Sequence, residues 1–405
     1  MCGIAGIVLR KGAPETETLN NLMAAITHRG PDGSGQVIRG KVGLGHTRLA
    51  IIDLETGDQP FSNARGDQLI ANGEIYNFVE LRESLGQSKF NTQSDCEVPL
   101  LLFERHGGNF AEDLRGMFAV SILRGDNGEV YLCRDSFGIK PLYIIENDQG
   151  LIFASEINAL VEAGVAKPVL NTPTRDQLLQ QQFTMGRLTV IEGVERVLPG
   201  ETLRIVNGEI TERQHLSALP IEGPVDWSEE EAIELLNEAL MDSVTVHQRS
   251  DVPYGLFLSG GVDSSAILAC MRELSDRPVE AFTVGFSGTG VADERTHAQR
   301  VAKAAGANFF SVEFNENDFW NSLPEIVACL DDPTSDYAVL PTFKLGSLAR
   351  YKGLKVVLSG EGGDELFAGY GRYRRLLRPW WLGGRPIRHK GLFDGSGILR
   401  AHDKS

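Results

Sequence analysis

The sequence predicts an antiparallel α+β domain followed by an α/β domain with a doubly wound parallel sheet. Three observations carry this. Over the first 215 residues, short apolar runs bounded by Gly, Asp, Asn or Pro follow one another with few helices between them. Residues 216–226 hold two prolines, a glycine and no periodicity, as a linker does. From residue 228 to 405 the order becomes strand, glycine loop, helix.

Strands are predicted at Ile4–Leu9, Val42–Ile52, Gln68–Ile75, Phe118–Leu123, Glu129–Arg134, Leu142–Ile145 and Leu151–Ala154. Asp126-Asn127-Gly128 lies between two of them and marks a hairpin. Apolar spacing predicts a helix over Thr16–Ile26. Ser94 can cap a second helix carrying Val98, Leu101, Leu102 and His106, with Glu97 at the capping-box position. In the second half, Ser228 caps a helix whose first turn holds Glu229, Glu230 and Glu231. Strand Gly255–Leu258, helix Ser264–Leu274, strand Ala281–Phe286, helix Glu294–Ala305 and strand Lys355–Leu358 follow. From Pro379 onward the pattern fades. With three visible strands in its second domain, the chain reads as C-terminally incomplete.

The composition excludes several classes. With 42% hydrophobic and 23% charged residues among 405, the chain is globular rather than disordered, collagenous or coiled-coil. A net charge of −16 argues against nucleic acid and anionic membranes as partners. No apolar run approaches the roughly 20 residues of a membrane span, and no basic segment precedes Ile4–Leu9 as in a signal peptide. Five cysteines, an odd number, fit cytosolic thiols, so a cytoplasmic location is expected.

The first candidate site starts at Cys2. Removal of Met1 would leave a thiol beside its own α-amine, whose ordinary pKa of about 7.7–8.0 suits a general base. Arg48, in His46-Thr47-Arg48-Leu49, can hold a carboxylate in bidentate fashion. The Asn72 amide and the Gly73 N–H can form an oxyanion hole. Glu74 and Asp95 add anionic partners for an ammonium group. A nucleophile, base, oxyanion site, cation and anions together suit a free amino acid with a reactive side-chain carbonyl, such as glutamine.

The second candidate site is Ser259-Gly260-Gly261-Val262-Asp263-Ser264-Ser265, a glycine loop between a strand and a helix, suited to phosphate. It lacks the P-loop lysine. Asp263 can hold Mg²⁺. Ser359-Gly360-Glu361-Gly362-Gly363-Asp364-Glu365 is a second such loop, and both would sit at the carboxyl ends of strands, where parallel sheets bind ligands.

Met1-Cys2-Gly3-Ile4-Ala5-Gly6, His28-Arg29-Gly30-Pro31-Asp32, Asn72-Gly73-Glu74-Ile75-Tyr76-Asn77 and Ser94-Asp95-Cys96-Glu97 resemble the glutaminase domain of class II amidotransferases, which has an N-terminal-nucleophile (Ntn) αββα fold. The two glycine loops resemble the PP-loop ATP-pyrophosphatase domain of glutamine-hydrolysing asparagine synthetases. The resemblance runs to about Tyr373. It implies that Cys2 attacks glutamine while Arg48, Leu49, Ile52, Glu74 and Asp95 bind it and Asn72 and Gly73 stabilise the oxyanion. For ATP it implies Leu258, Ser259, Gly260, Gly261, Asp263, Ser264, Ser265, Val284, Ser359 and Gly360, with Mg²⁺ on Asp263 and Asp364 and Glu361 as a proton acceptor. The implied product is asparagine, formed through β-aspartyl-AMP from glutamine, aspartate and ATP, with ammonia crossing by an internal passage; a homodimer is also suggested. The residues Asp331 to Asp336 and Pro341-Thr342 would border the aspartate site. A later segment of the family, arginine-x-proline-phenylalanine-leucine-aspartate, is missing from the sequence. Two alternatives stand beside this reading: a related amidotransferase acting on another carboxylate, and a glutaminase or nucleotide-binding remnant without synthetase activity.

Overall fold

The computed structural model describes residues 1–220, 222–223, 225–286, 293–367, 369–370 and 378–382. The tail beyond 382 and Tyr373 lie outside the described residues. The chain divides into two compact units. The first comprises Met1–Arg175, Thr184–Asp226 and Asp331–Pro333; the second comprises Asp176–Phe183, Trp227–Leu330 and the chain from Thr334.

The first unit contains strands β1 (Gly3–Leu9), β2 (Gly33–Arg39), β3 (Val42–Arg48), β4 (Phe61–Ser62), β5 (Gln68–Ile75), β6 (Gly116–Leu123), β7 (Val130–Arg134), β8 (Tyr143–Asn147), β9 (Gly150–Ala154), β10 (Val194–Arg196), β11 (Glu201–Val206) and β12 (Glu209–His215). They form two antiparallel sheets, ordered β10-β8-β9-β1-β3-β2 and β12-β11-β7-β6-β5-β4. Period-2 alternation sends alternate residues to opposite faces. Ile4, Val8, Leu44, Ile70, Ala119 and Leu132 thus share one buried cluster between the sheets. The opposite face of the first sheet packs on helices α1 (Thr16–Ala25) and, once α2 (Phe78–Leu85) and α3 (Val98–His106) are passed, α4 (Ile157–Glu162), through Ala5, Ile7, Leu19, Leu22 and Leu160. The opposite face of the second sheet packs on α3 through Leu69, Val120, Leu102 and Phe103. The result is the αββα layering implied by the resemblance.

Sequence boundaries shift by one or two residues at most of these elements. The Val42–Ile52 strand ends at Arg48, and residues 49–58 form a loop. Asp53 turns this loop at φ 56°, in the left-handed region. Its carboxylate accepts from the N–H groups of Thr56 and Gln93, both at 2.8 Å. The capping box expected at Ser94 and Glu97 is corrected. Ser94 does accept from the Cys96 N–H, at 3.3 Å. The Glu97 carboxylate instead accepts from the N–H groups of Asn91 and Thr92, both at 2.9 Å, because the preceding loop turns back over it.

The second unit takes in most of α5 (Thr172–Gln181) and all of α6 (Glu229–His247), β13 (Tyr254–Phe257), α7 (Val262–Leu274), β14 (Glu280–Phe286), α8 (Arg295–Ala305), β15 (Asn308–Phe314), α9 (Glu316–Cys329), α10 (Val339–Tyr351), β16 (Val356–Leu358) and α11 (Gly363–Leu366). Ser228 and Glu231 form the full capping box on α6. The sheet is parallel, ordered β15-β14-β13-β16. It has a fourth strand, β15, that the sequence reading passed over. Among the described residues no helix is long and apolar enough to cross a membrane.

Candidate functional site

Cys2 immediately precedes β1. The Leu49 N–H donates to the Cys2 sulfur at 3.3 Å, and the thiol reaches the Leu49 carbonyl at 3.6 Å. Burial pushes the Cys2 thiol up, while the Leu49 N–H and the nearby α-amine pull it down. Burial also brings the Met1 α-amine down to about 6.

Around Cys2 the structure gathers residues far apart in sequence. Asn72 and Gly73 lie on β5. The Asn72 side chain is buried, and neither its amide nitrogen nor its oxygen has a protein partner. Buried amides are almost always partnered, so this one is held for something else. Gly73 is opposite Phe118 on β6. Phe118 directs its own N–H and C=O to Asp135, on the far side of its strand. Gly73 therefore occupies a non-hydrogen-bonded position, with its N–H and C=O facing away from β6. Its carbonyl accepts there from the Cys96 thiol at 3.4 Å.

Glu74 and Asp95 are both raised, chiefly by burial; for Glu74 the neighbouring Asp95 charge adds to it. Asp95 is anchored by the Ile75 N–H, which donates at 2.7 Å. Two carboxylates so placed favour an added cation. Arg48 sits at the end of β3, buried, with Nη1 2.7 Å from Asp58 and Nη2 donating to the Asp53 carbonyl. Its fork is thus aligned and already engaged by an exposed carboxylate. Ile52 lies half-buried in the same loop.

Sequence reasoning assigned no role to four residues here. Arg29 donates from Nε to the Cys2 carbonyl at 3.0 Å and from Nη1 to Glu156 at 2.6 Å. Ser155 accepts from the Ile4 N–H at 2.9 Å. Lys140 is buried and is lowered by that burial, while the charges of Glu74 and Cys2 oppose the shift. A lysine inside Asp135-Ser136-Phe137-Gly138-Ile139-Lys140-Pro141, next to an apolar strand, was the available signal.

In the second unit, Gly261 caps α7, and Gly260 takes φ 83°. The Ser259 hydroxyl accepts from the Gly261 N–H at 3.1 Å and meets the Ser264 hydroxyl at 3.0 Å. Ser265 donates its N–H to the Gly261 carbonyl, as the first turn of α7 requires. Leu258 is buried and donates its N–H to the Phe282 carbonyl; Val284 follows on β14. β13 and β16 pair directly, so the two glycine loops leave the sheet side by side. A β-carbon on Gly363 would come 2.6 Å from the Asp263 carboxylate, and one on Gly360 would come 3.1 Å from the Ser264 nitrogen. The Ser359 hydroxyl donates to the exposed Glu361 at 3.0 Å. Asp364 lies in α11, one residue after Gly363. Among the described residues no three acidic, His or Cys side chains converge as a preformed metal cage. Asp263 and Asp364 are nevertheless hard oxygen donors following the two neighbouring strands β13 and β16, a donor type that suits Mg²⁺.

Asp331 and Asp332, expected to border the aspartate site, are engaged by residues of the first unit. Asp331 accepts from the N–H groups of Ile157 and Asn158, at 2.7 and 2.6 Å. Asp332 pairs with Arg196 at 2.5 Å and accepts from the Tyr143 hydroxyl at 3.1 Å. All of these partners belong to the first unit.

Comparison with known proteins gives the same two halves. A family described as "Glutamine amidotransferase domain" matches residues 1–216, and one described as "Asparagine synthase" matches 235–400. A Bacillus subtilis protein named asparagine synthetase [glutamine-hydrolyzing] 1 is 38% identical over 93% of this chain and 60% of its own length. A Methanocaldococcus jannaschii protein, named putative asparagine synthetase [glutamine-hydrolyzing] 2, is 33% identical over 91% of this chain and 76% of its own. A more distant Gibberella zeae relative, named amidase chry2, is 30% identical over 92% of this chain and 60% of its own. The chain therefore spans about 60% of the length of the first of these relatives. With both matched regions in their order, and the M. jannaschii relative covered over three quarters of its length, the chain belongs to the glutamine-hydrolysing asparagine synthetase family.

Proposed function

We propose that this chain carries out glutamine-dependent asparagine synthesis, with residues 1–215 as the glutaminase domain and 228–405 as the ATP-pyrophosphatase domain. The observation that carries the reading is the Asn72 amide, buried on β5 two residues before Glu74, whose charge acts on Cys2, with both polar atoms unpartnered by protein.

In this reading the Cys2 sulfur attacks the glutamine side-chain carbonyl, and its proton passes to the α-amine of the processed chain. The Asn72 amide and the Gly73 N–H receive the developing oxyanion. Glu74 and Asp95 hold the substrate ammonium. Arg48, released from Asp58, holds the α-carboxylate, while Leu49 and Ile52 bound the pocket. Collapse releases ammonia and a thioester that water cleaves to glutamate. In the second unit the aspartate β-carboxylate attacks the α-phosphorus of ATP, and pyrophosphate leaves. Ser259, Gly260, Gly261, Ser264 and Ser265 cradle the phosphates; Leu258, Val284, Ser359 and Gly360 bound the nucleotide. Asp263 and Asp364 would hold Mg²⁺, which when bound would supply positive charge to the leaving pyrophosphate. Ammonia then displaces AMP while Glu361 accepts a proton.

The test is incubation of the full chain with glutamine, aspartate and ATP. AMP, pyrophosphate, glutamate and asparagine are expected. ADP in place of AMP overturns the adenylation step. A second reading, an amidotransferase acting on another carboxylate, draws on the occupied Asp331 and Asp332 and on the relative named an amidase. A carboxylate screen for AMP release separates the two. Glutamate release without any ATP turnover marks the remnant reading.

A further inference from the structure

Helix α4 is capped in an unusual way. Its N-cap residue, Glu156, makes no side-chain cap. The Glu156 carboxylate turns instead to Arg29, at 2.6 Å, and to His28, at 3.0 Å. Arg29 in turn donates to the Cys2 carbonyl. Ser155 holds the next turn of chain from both sides: its hydroxyl accepts from the Ile4 N–H and its own N–H donates to the Ile4 carbonyl, both at 2.9 Å. Residues 155–156 are thus a clamp on Cys2–Ile4. The orphan N–H groups of α4 still need an acceptor. Asp331 supplies it, one oxygen to Ile157 and the other to Asn158. The next residue, Asp332, is locked by Arg196, Tyr143 and Thr184. Asp331–Pro333 packs as part of the first unit, although Leu330 before it and Thr334 after it belong to the second.

We propose that Asp331 is a positioning residue for the glutamine reaction, acting on Cys2 through the α4 N-terminus, Glu156 and Arg29; this rests on the glutaminase reading above. By capping α4 in place of Glu156, Asp331 leaves the Glu156 carboxylate free to fix Arg29. Without it, Glu156 is drawn back to its own helix, and the Cys2 carbonyl loses its tether. The thiol then samples more orientations, while the groups that bind glutamine stay in place. The glutaminase half therefore depends on a carboxylate that the chain delivers from far beyond the linker.

Glutamate release by the full chain tests this, with wild type, D331A, D331N and D332N compared per folded molecule. D331A should lower kcat about tenfold with KM for glutamine within about twofold, since small misplacement of a reacting group acts on kcat. D331N keeps one acceptor oxygen and should lie between D331A and wild type. D332N, which frees the segment without touching α4, should lower kcat in the same sense. The rate of Cys2 alkylation by iodoacetamide should change in D331A without a matching change at Cys329, the exposed thiol. A D331A kcat equal to wild type, or a loss fully explained by a smaller folded fraction, overturns the positioning role and leaves the glutaminase reading standing. A wild-type chain that releases no glutamate, with Cys2 verified at the processed N-terminus by mass spectrometry, overturns both.

Discussion

The backbone N–H of Leu49 points at the sulfur of Cys2 from 3.3 Å, from the loop that also carries the turn at Asp53. A buried thiol is otherwise a poor nucleophile, because burial disfavours the thiolate. The aligned Leu49 donor offsets part of that effect, and the charge of the α-amine offsets a smaller part. Replacing Cys2 with Ala should abolish glutamate release. With externally supplied ammonia, AMP formation should persist, because the replaced atom lies outside the second unit. Coupled assays for glutamate and AMP on the same preparation check both outcomes.

Asn72→Leu separates function from stability. The amide is buried without a protein partner, so the folded chain bears its desolvation with no hydrogen bond in return. A similar-sized apolar side chain should leave Tm equal or higher. Glutaminase kcat should fall about 100- to 1000-fold, as for loss of an oxyanion donor. A large drop in Tm would instead mark Asn72 as a structural residue.

The Glu74–Asp95 pair sets a pH dependence. Both carboxyls are raised in the folded chain, Asp95 to about 6. The folded state therefore holds protons that the unfolded chain has released, since an unfolded Asp titrates near about 3.9. The Asp95 contribution is complete below about pH 4 and is lost as pH rises through about 6, and the raised Glu74 carries the decline further up in pH. Asp95→Asn should flatten that decline in Tm and raise KM for glutamine. Glutamine itself should raise Tm of the wild type near pH 7 and leave the variant unmoved. Thermal melts across pH, with and without glutamine, report all three.

Gly73→Ala should cost stability as well as activity. A β-carbon there would come 2.6 Å from the Met117 carbonyl and 2.7 Å from the Phe118 Cβ. Both belong to a paired strand that has little room to yield, so about 1–3 kcal/mol of destabilisation is expected from urea melts.

Asp263→Asn divides the two activities. Its carboxylate lies against Gly363 of the second glycine loop. Pyrophosphate exchange into ATP should fall at least about 100-fold, the scale of losing a group that stabilises transition-state charge. Glutamate release should stay within about twofold. An unchanged exchange rate would remove Asp263 from the nucleotide site.

Much of this was legible in the sequence where chemistry and local pattern coincide. Cys2 at the chain start, Asn72-Gly73 at the end of an apolar strand and Gly260-Gly261 between strand and helix each announce themselves within a few neighbouring residues. Strand β15 was missed because Asn308–Phe314 alternates only weakly and follows a helix ending in Gly306. Strand β12 was missed because charged and polar residues fill its exposed positions, and β10 and β11 because each carries a charged residue, Arg196 or Glu201, that the fold buries. The Arg29–Glu156–Asp331 chain has no local trace, since its contacts join residues 127 and more than 170 positions apart. Glu97 misled because a carboxylate three residues after a serine serves a backbone turn as readily as a helix start.

The stray segment 331–333 has a practical meaning for anyone wishing to excise the glutaminase half. A scissors cut in the proline-containing linker would leave behind three residues that the excised piece folds around, so a transplantable catalyst would need that tripeptide grafted back or supplied as a separate strand.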